Sequence, residues 1–530
     1  MEQDTRPEEA PMLTGNSAKV AQSQGSANNN EDVPADGPRS NSRSLYAQTL
    51  VAGAVFLLTA GCGFPIGFSA VLLPQLKDPN STLLTDDDMG SWIASIHSAA
   101  TPIGSFMSGM LMDRWGRRTA LQVTAIPFTV GWIIIALAGS HAVLLVGRVA
   151  AGLAVGLSAA PSQVFISEVA EPRIRGLLAG TPMVSYSLGI LVVYALGATL
   201  PWRTVAWLGI ILPALSLAAF SFLPESPTWL ARKGRVDDAE RSLRWLRGGG
   251  AGIQAKKELQ QLLNRLRAEE DARRTEGMES DAHIAPESCF EMYSKPNIYK
   301  PFLIVNVFNM LQIFSGTFLV IFYAVDVISE TETKGEGMDK FVAAVLTAVV
   351  RLIFTAVACC LLMWIGRRPL AIGSGLCSGI TAVILGTILY IKNIRDPTEE
   401  PIIPYSEVII TCVLLYMATN TCGFFVLPGI TIGELLPAKI RGLAGGYIFA
   451  AFNLGLFFAA KLFPQIMEGI GAHGMFWIFG GSSLLGTLFV YLMLPETKGQ
   501  SLAQIEDYFL GPNILWITRN KYQSAVATKV

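Results

Sequence analysis

The residues best placed to do chemistry in this sequence are two glutamate–arginine pairs with the same spacing. Ile166 to Leu177 reads ISEVAEPRIRGL and Ile432 to Leu443 reads IGELLPAKIRGL, so Glu168 and Arg175 stand seven residues apart, as do Glu434 and Arg441. Arg117 and Arg118 follow Trp115-Gly116, Arg367 and Arg368 follow Trp364-Ile-Gly366, and Glu225 of PESP is matched by Glu496 of PETKG. The chemistry these types support is ion pairing. Each set, Arg117, Arg118, Glu168, Arg175 and Glu225 in the first half, and Arg367, Arg368, Glu434, Arg441 and Glu496 in the second, is expected to form one cluster. Ion pairs of this kind are expected to hold two halves of the molecule together and to open when a gate opens.

Three further basic residues, Arg148, Arg351 and Lys461, interrupt apolar runs, and an ionisable group there is a functional candidate by default. Arg148 is read as structural and Lys461 as snorkelling or pairing near an outer edge. Arg351 is divided between packing and contact with an anionic solute. Gln312 lies three residues before Ser315-Gly316, one helical turn along the same face, and is expected to hydrogen-bond a solute or a neighbouring helix. The seven cysteines and four histidines give no C-x-x-C pair and no ligand cluster. No metal, cofactor or disulfide is therefore expected. Neither H-E-x-x-H, a nucleophile elbow nor a phosphate loop is present, which leaves no enzyme reading.

The elements that must position these residues are membrane spans. Only 15% of the 530 residues are charged, 51% are hydrophobic and the mean hydropathy is +0.44; a soluble domain carries about 25% charged residues. A bilayer core needs about 20 apolar residues per helix. Runs of that kind fall at 47–74, 91–112, 119–139, 142–165, 177–200 and 203–223, then at 300–325, 341–364, 369–391, 406–430, 442–465 and 474–494. The fold class expected is all-α polytopic, with twelve transmembrane helices. Net charge is −1, so nucleic acid is not an expected partner.

Basic loops after spans two, four, eight and ten belong in the cytoplasm, which places both termini there. The sequon Asn80-Ser81-Thr82 then lies outside, where Asn80 can be glycosylated. The layout is a disordered tail over 1–45, a first bundle over 46–230, and a cytoplasmic loop over 231–299. A second bundle follows over 300–510 and a tail over 511–530. Within the loop, Asp237 to Arg247 and a charged stretch near 255–274 predict short surface helices. The repeated phrases mark two six-helix bundles related by an axis along the membrane normal, the arrangement of major facilitator transporters.

DRWGRR, PESP, GELLPAKIRG and PETKG together resemble the sugar porter family of the major facilitator superfamily, over roughly residues 46–510. SWIAS, Ser91 to Ser95, and SLRWLR, Ser242 to Arg247, look most like its insect facilitated trehalose transporters. The resemblance implies facilitative transport of a sugar or sugar-like solute by alternating access, in a cell membrane, with the lipid bilayer and the solute as partners. It implies a mid-membrane site drawn from Gln312, Ser315, Met183, Thr421 and Asn453. The pocket departs from the family: Ile313 and Met183 stand at glutamine places, Phe318 at an asparagine and Gly429 at a tryptophan. Each unpaired buried hydroxyl costs about 1–3 kcal/mol, so an altered substrate is implied. A carrier of a non-sugar organic solute and a non-transporting sensor stay open. Proton-coupled members carry an acid in span one; 47–74 has none.

Overall fold

The computed structural model describes residues 38–171, 174–249, 252–283, 295–325, 327, 340–394, 405–437, 441–500, 502–511 and 515; the side chains of Arg175 and Arg441 are outside what is described. The first half comprises α1 (Pro38–Leu76), α2 (Asp87–Trp115), α3 (Arg117–Ala136), α4 (His141–Val169), α5 (Arg175–Gly197), α6 (Trp202–Leu208) and α7 (Ile211–Ser221). Between the halves lie α8 (Pro227–Arg232), α9 (Val236–Leu246) and α10 (Gly252–His283). The second half comprises α11 (Pro296–Phe314), α12 (Leu319–Phe322), α13 (Lys340–Trp364), α14 (Arg367–Ile394), α15 (Tyr405–Asn420), a π turn over Thr421–Phe425, α16 (Leu427–Leu435), α17 (Arg441–Met493) and α18 (Leu502–Leu510).

These helices make twelve crossings. Span six is α6 with α7, span seven is α11 with α12, and span ten is α15, the π turn and α16. α17 runs 53 residues, about 80 Å at 1.5 Å per residue, more than twice a bilayer core; Gly471, with φ 71°, breaks it into spans eleven and twelve. Among the described residues, ten helical segments are long and apolar enough to cross a membrane by length and composition, α17 among them. α2 falls short on hydropathy because Ser91, Ser95, His97, Ser98, Thr101 and Ser108 line its buried face. Thr101 and Ser108 donate back to the His97 and Ser105 carbonyls of their own helix, so these hydroxyls cost little when buried.

Small residues let the backbones approach, as in membrane helix pairs generally. A Cβ on Gly104 of α2 would lie 2.1 Å from the Leu153 carbonyl of α4, and one on Gly189 of α5 would lie 1.9 Å from the Ala60 carbonyl of α1. The bundles meet through α2 against α17, α5 against α13 and α1 against α12. "Inner" and "outer" below follow the orientation read from loop charge.

Two expectations change. Helix α1 begins at Pro38, inside the segment read as a tail. α10 has 32 residues and is not short. It packs Leu259 against Trp229, Leu230 and Leu243 of α8 and α9, and Arg247 binds Glu258 at 2.9 Å.

Candidate functional site

Span seven is broken at the bundle interface. Gly316 has φ 81°, and a Cβ there would meet Phe479 at 2.6 Å and the Tyr416 hydroxyl at 2.7 Å, so only glycine fits. The break exposes polar backbone that must be satisfied inside the protein. Tyr416 donates to the Ser315 carbonyl. Ser315 Oγ donates to the Gln312 carbonyl at 2.7 Å and lies 2.9 Å from Thr317 Oγ1. Thr317 Oγ1 donates to Asn420 Oδ1 at 2.5 Å, while Asn420 Nδ2 donates to Ser315 Oγ at 3.3 Å. Gln312 Nε2 donates at 3.3 Å to the carbonyl of Phe425, at the end of the π turn. Spans seven and ten are thus joined by one buried polar network.

Aromatic rings face this network. Phe318 packs on Phe425 at 5.6 Å and Phe452 at 5.3 Å, and Tyr186 of α5 reaches Phe425 across the interface at 6.3 Å. Arg351, near the middle of α13 and 2% exposed, stacks over Phe425 at 5.2 Å. Its Nη2 donates to the Thr317 carbonyl at 3.2 Å. Ser187 of α5 and Thr355 of α13, one turn from Arg351, hydrogen-bond across the bundles at 3.0 Å.

The solute-site candidates divide on this geometry. Gln312 and Ser315 belong to the network, Gln312 through a helix–helix bond. Met183 lies at the interface against Gly429 of span ten. Thr421 and Asn453 are buried, but their donors turn to their own helices, Thr421 to the Met417 carbonyl at 2.6 Å and Asn453 to the Phe449 carbonyl at 2.8 Å. Thr317, Tyr416, Asn420, Tyr186 and Phe425 were missed. Asn420 had a signal, a lone amide in an apolar span; the aromatic residues had none.

The same kinds of contact recur in both charge clusters. Arg117 Nε is 3.1 Å from a Glu168 oxygen and Arg367 Nη2 is 2.8 Å from Glu434. Ser226 donates to Glu168, as Thr497 does to Glu434. Glu225 accepts from the backbone N–H groups of Arg118 and Thr119 at 2.9 and 3.3 Å. Glu496 accepts from those of Arg367 and Arg368 at 3.0 and 3.2 Å. These two carboxylates therefore cap the exposed amides and positive ends of α3 and α14. The side chains of Arg118 and Arg368 donate to the carbonyls of Leu223 and Tyr491. The expectation that such pairs bridge the bundles is corrected for the described side chains. Each cluster ties spans of one bundle, because the helix ends that need capping lie beside the next span of the same bundle. Arg175 and Arg441 fall outside the described side chains.

The described ion pair that crosses the bundles lies at the outer side. Lys461 Nζ of span eleven is 2.5 Å from Asp88 Oδ1, 2.8 Å from Ser91 Oγ and 4.7 Å from the centre of the Trp92 ring. Tyr194 of α5 donates to the Ile321 carbonyl of α12 at 2.6 Å. Arg148 is fully buried and donates to Pro65 O at 2.5 Å, Ile93 O at 3.0 Å, Ala94 O at 3.5 Å and the Ser69 hydroxyl. Asn80 is exposed in the loop between α1 and α2.

A two-bundle, twelve-span molecule with a broken span, an outer cross-bundle ion pair and duplicated inner clusters has the fold of the major facilitator type. The model of the family described as "Sugar (and other) transporter" matches residues 51–509, and the chain belongs to that family. It is 32% identical over 482 residues to the facilitated trehalose transporter Tret1 of Culex quinquefasciatus, covering 90% of this chain and 88% of that one. It is also 32% identical over 477 residues to Tret1 of Aedes aegypti, where 89% of this chain spans 56% of the relative's length, little more than half. The inward-open xylose transporter XylE from E. coli superposes with a TM-score of 0.67 at 22% identity, over 87% of this chain and 99% of that one, and shares the fold. The resemblance drawn from the sequence motifs agrees with these matches.

Proposed function

We propose that this protein carries a sugar or sugar-like solute down its gradient by alternating access. The observation that carries this reading is the break of span seven at Gly316. It sets the Gln312, Ser315, Thr317 and Asn420 network at the face where the bundles meet, and solute sites formed by discontinuous spans near the midplane are a general device of secondary carriers. The trehalose transporters among its relatives favour a sugar as the cargo. The Lys461–Asp88 pair serves as the outer gate, and the duplicated inner clusters hold the inner ends of each bundle's spans together as the bundle moves. Gln312, Ser315 and Met183 line the solute path, flanked by Thr421 and Asn453.

Transport is uncoupled from protons in this reading. Span one has no acid, and the guanidinium of Arg148 beside it is met by carbonyls and a hydroxyl, none of which loads and unloads a proton. Arginine itself does not release one in proteins. Both termini face the cytosol of a plasma-membrane protein with Asn80 glycosylated outside, and the protein performs no chemistry on its cargo.

The test is reconstitution into liposomes with labelled trehalose, glucose and xylose, with and without an imposed pH gradient. Uptake should stop at equilibrium and ignore a protonophore. Accumulation above equilibrium that a protonophore collapses would overturn facilitation. Saturable uptake of none of the three would overturn the neutral-sugar reading.

A further inference from the structure

We infer that Arg351 receives an anionic group on the solute, and that the cargo class is a sugar acid bearing a carboxylate. The inference rests on the sugar-carrier reading and adds the charge of its substrate. Its ground is the contrast between two guanidinium groups buried to the same degree. Arg148 spreads its donors over three carbonyls and the Ser69 hydroxyl, and no nitrogen is left idle. It is a strut between spans one, two and four. Arg351 has one backbone acceptor, the Thr317 carbonyl, and a contact at 3.7 Å with the Met417 sulfur, a weak acceptor. Its Nη1 is buried with no acceptor.

Among the described residues no carboxylate pairs with Arg351, and Glu407 of span ten, the span that supplies Met417 and Phe425, is exposed ten residues before Met417. Spans one, five, seven, eight and eleven, over the ranges 47–74, 177–200, 300–325, 341–364 and 442–465, contain no Asp or Glu. The Phe425 ring at 5.2 Å offers a π face, which attracts a cation but accepts no in-plane N–H bond. A buried guanidinium left in this condition is costly, and its fork of N–H donors matches the two oxygens of a carboxylate. The location fits a solute: Arg351 bonds the broken segment of span seven, and the ring it covers touches Tyr186 of the opposite bundle. The carboxylate thus docks on Nη1 while the hydroxyls of the same molecule meet the Ser315–Thr317–Asn420 network. The altered pocket then has a reason. Amides that held a neutral sugar are gone, and one charge-assisted contact takes their place.

The experiment uses the full chain in proteoliposomes with labelled glucuronate and labelled glucose, which differ at one carbon. Glucuronate uptake should be saturable, faster than glucose uptake, and raised by an interior-positive potential, since a net negative charge moves. Arg351→Gln should lower glucuronate uptake about tenfold to a hundredfold, the range of one charge-assisted bond, and Arg351→Lys should restore part of it. Glucose uptake with glucuronate neither carried nor competing would overturn the inference and leave the sugar reading standing. If neither solute is carried and neither raises the melting temperature of the purified protein, the inference and the sugar reading both fall. The wild-type comparison decides even where the glutamine variant fails to fold.

Discussion

A Cβ placed on Gly429 would stand 3.2 Å from the terminal methyl of Met183, so that two positions on opposite bundles share one small space. Both are positions where this sequence departs from the sugar porter pattern, and the structure places them side by side across the bundle interface. The terminal methyl of Met183 is the one neighbour within 4 Å of that Cβ, so a larger side chain in span ten meets span five first at this residue.

Met183→Gln should restore a hydrogen-bond partner for a neutral sugar. One such bond contributes about 1 kcal/mol net, so the KM for glucose should fall about fivefold with kcat little changed. Gly429→Trp should lower uptake by pressing on the Met183 methyl, and Gly429→Trp with Met183→Ala should recover part of it. Unaltered kinetics in Met183→Gln would remove this residue from the solute path.

At the inner end, Glu168→Gln and Glu434→Gln should each slow uptake at equal surface expression while the protein still folds. A hydrogen bond to a charged group is worth about 1.5–3 kcal/mol, and these carboxylates sit at the membrane edge where water can take over part of it. Glu225→Ala and Glu496→Ala remove helix caps and should lower stability by about 1 kcal/mol each. Thermal unfolding in detergent separates the effects: a melting temperature unmoved in the cap variants would contradict the capping role.

At the outer end, Lys461→Met and Asp88→Asn should favour the outward-open state. Asp88 is 66% exposed and Lys461 16%, so the pair contributes no more than about 1 kcal/mol, or about fivefold in the state ratio. Labelling of a cysteine engineered on the outer side of the cavity should rise accordingly. The exchange Lys461→Asp with Asp88→Lys should return it to the wild-type level; labelling that stays high in the exchanged protein would argue against a latch.

Gly316→Ala should be the most damaging single substitution in span seven. Alanine at a positive φ carries strain of about 1–3 kcal/mol, and its Cβ would overlap Phe479 and the Tyr416 hydroxyl. Uptake should be lost and the melting temperature should fall. Normal transport in this variant would show that the break is not needed.

The twelve crossings were legible because each apolar run exceeds a bilayer's thickness and lysines and arginines punctuate the loops. The clusters were legible as repeats, since Glu168 and Glu434 recur in matching phrases. Their partners were not: spacing along the chain brings Arg117 to the membrane edge but does not say that it turns toward span four of its own bundle. The rotation of helices was equally hidden. Span ten is apolar nearly all round, so although Asn420 stands out as a lone amide, the pattern does not say that it faces the network while Thr421 bonds its own backbone. The π turn that shifts the register there has no marker in the sequence. Phe425 and Tyr186 meet only because two bundles dock, and that is a tertiary fact.

The tight reversal at Gly471 has a mechanical consequence. Spans eleven and twelve follow one another there with almost no slack between them. Span twelve ends beside Glu496, the cap of α14; span eleven carries Lys461, the outer latch. The inner cap and the outer ion pair are therefore linked through a single hairpin, and a tilt of span twelve at its Glu496 end is passed directly to the span that carries Lys461.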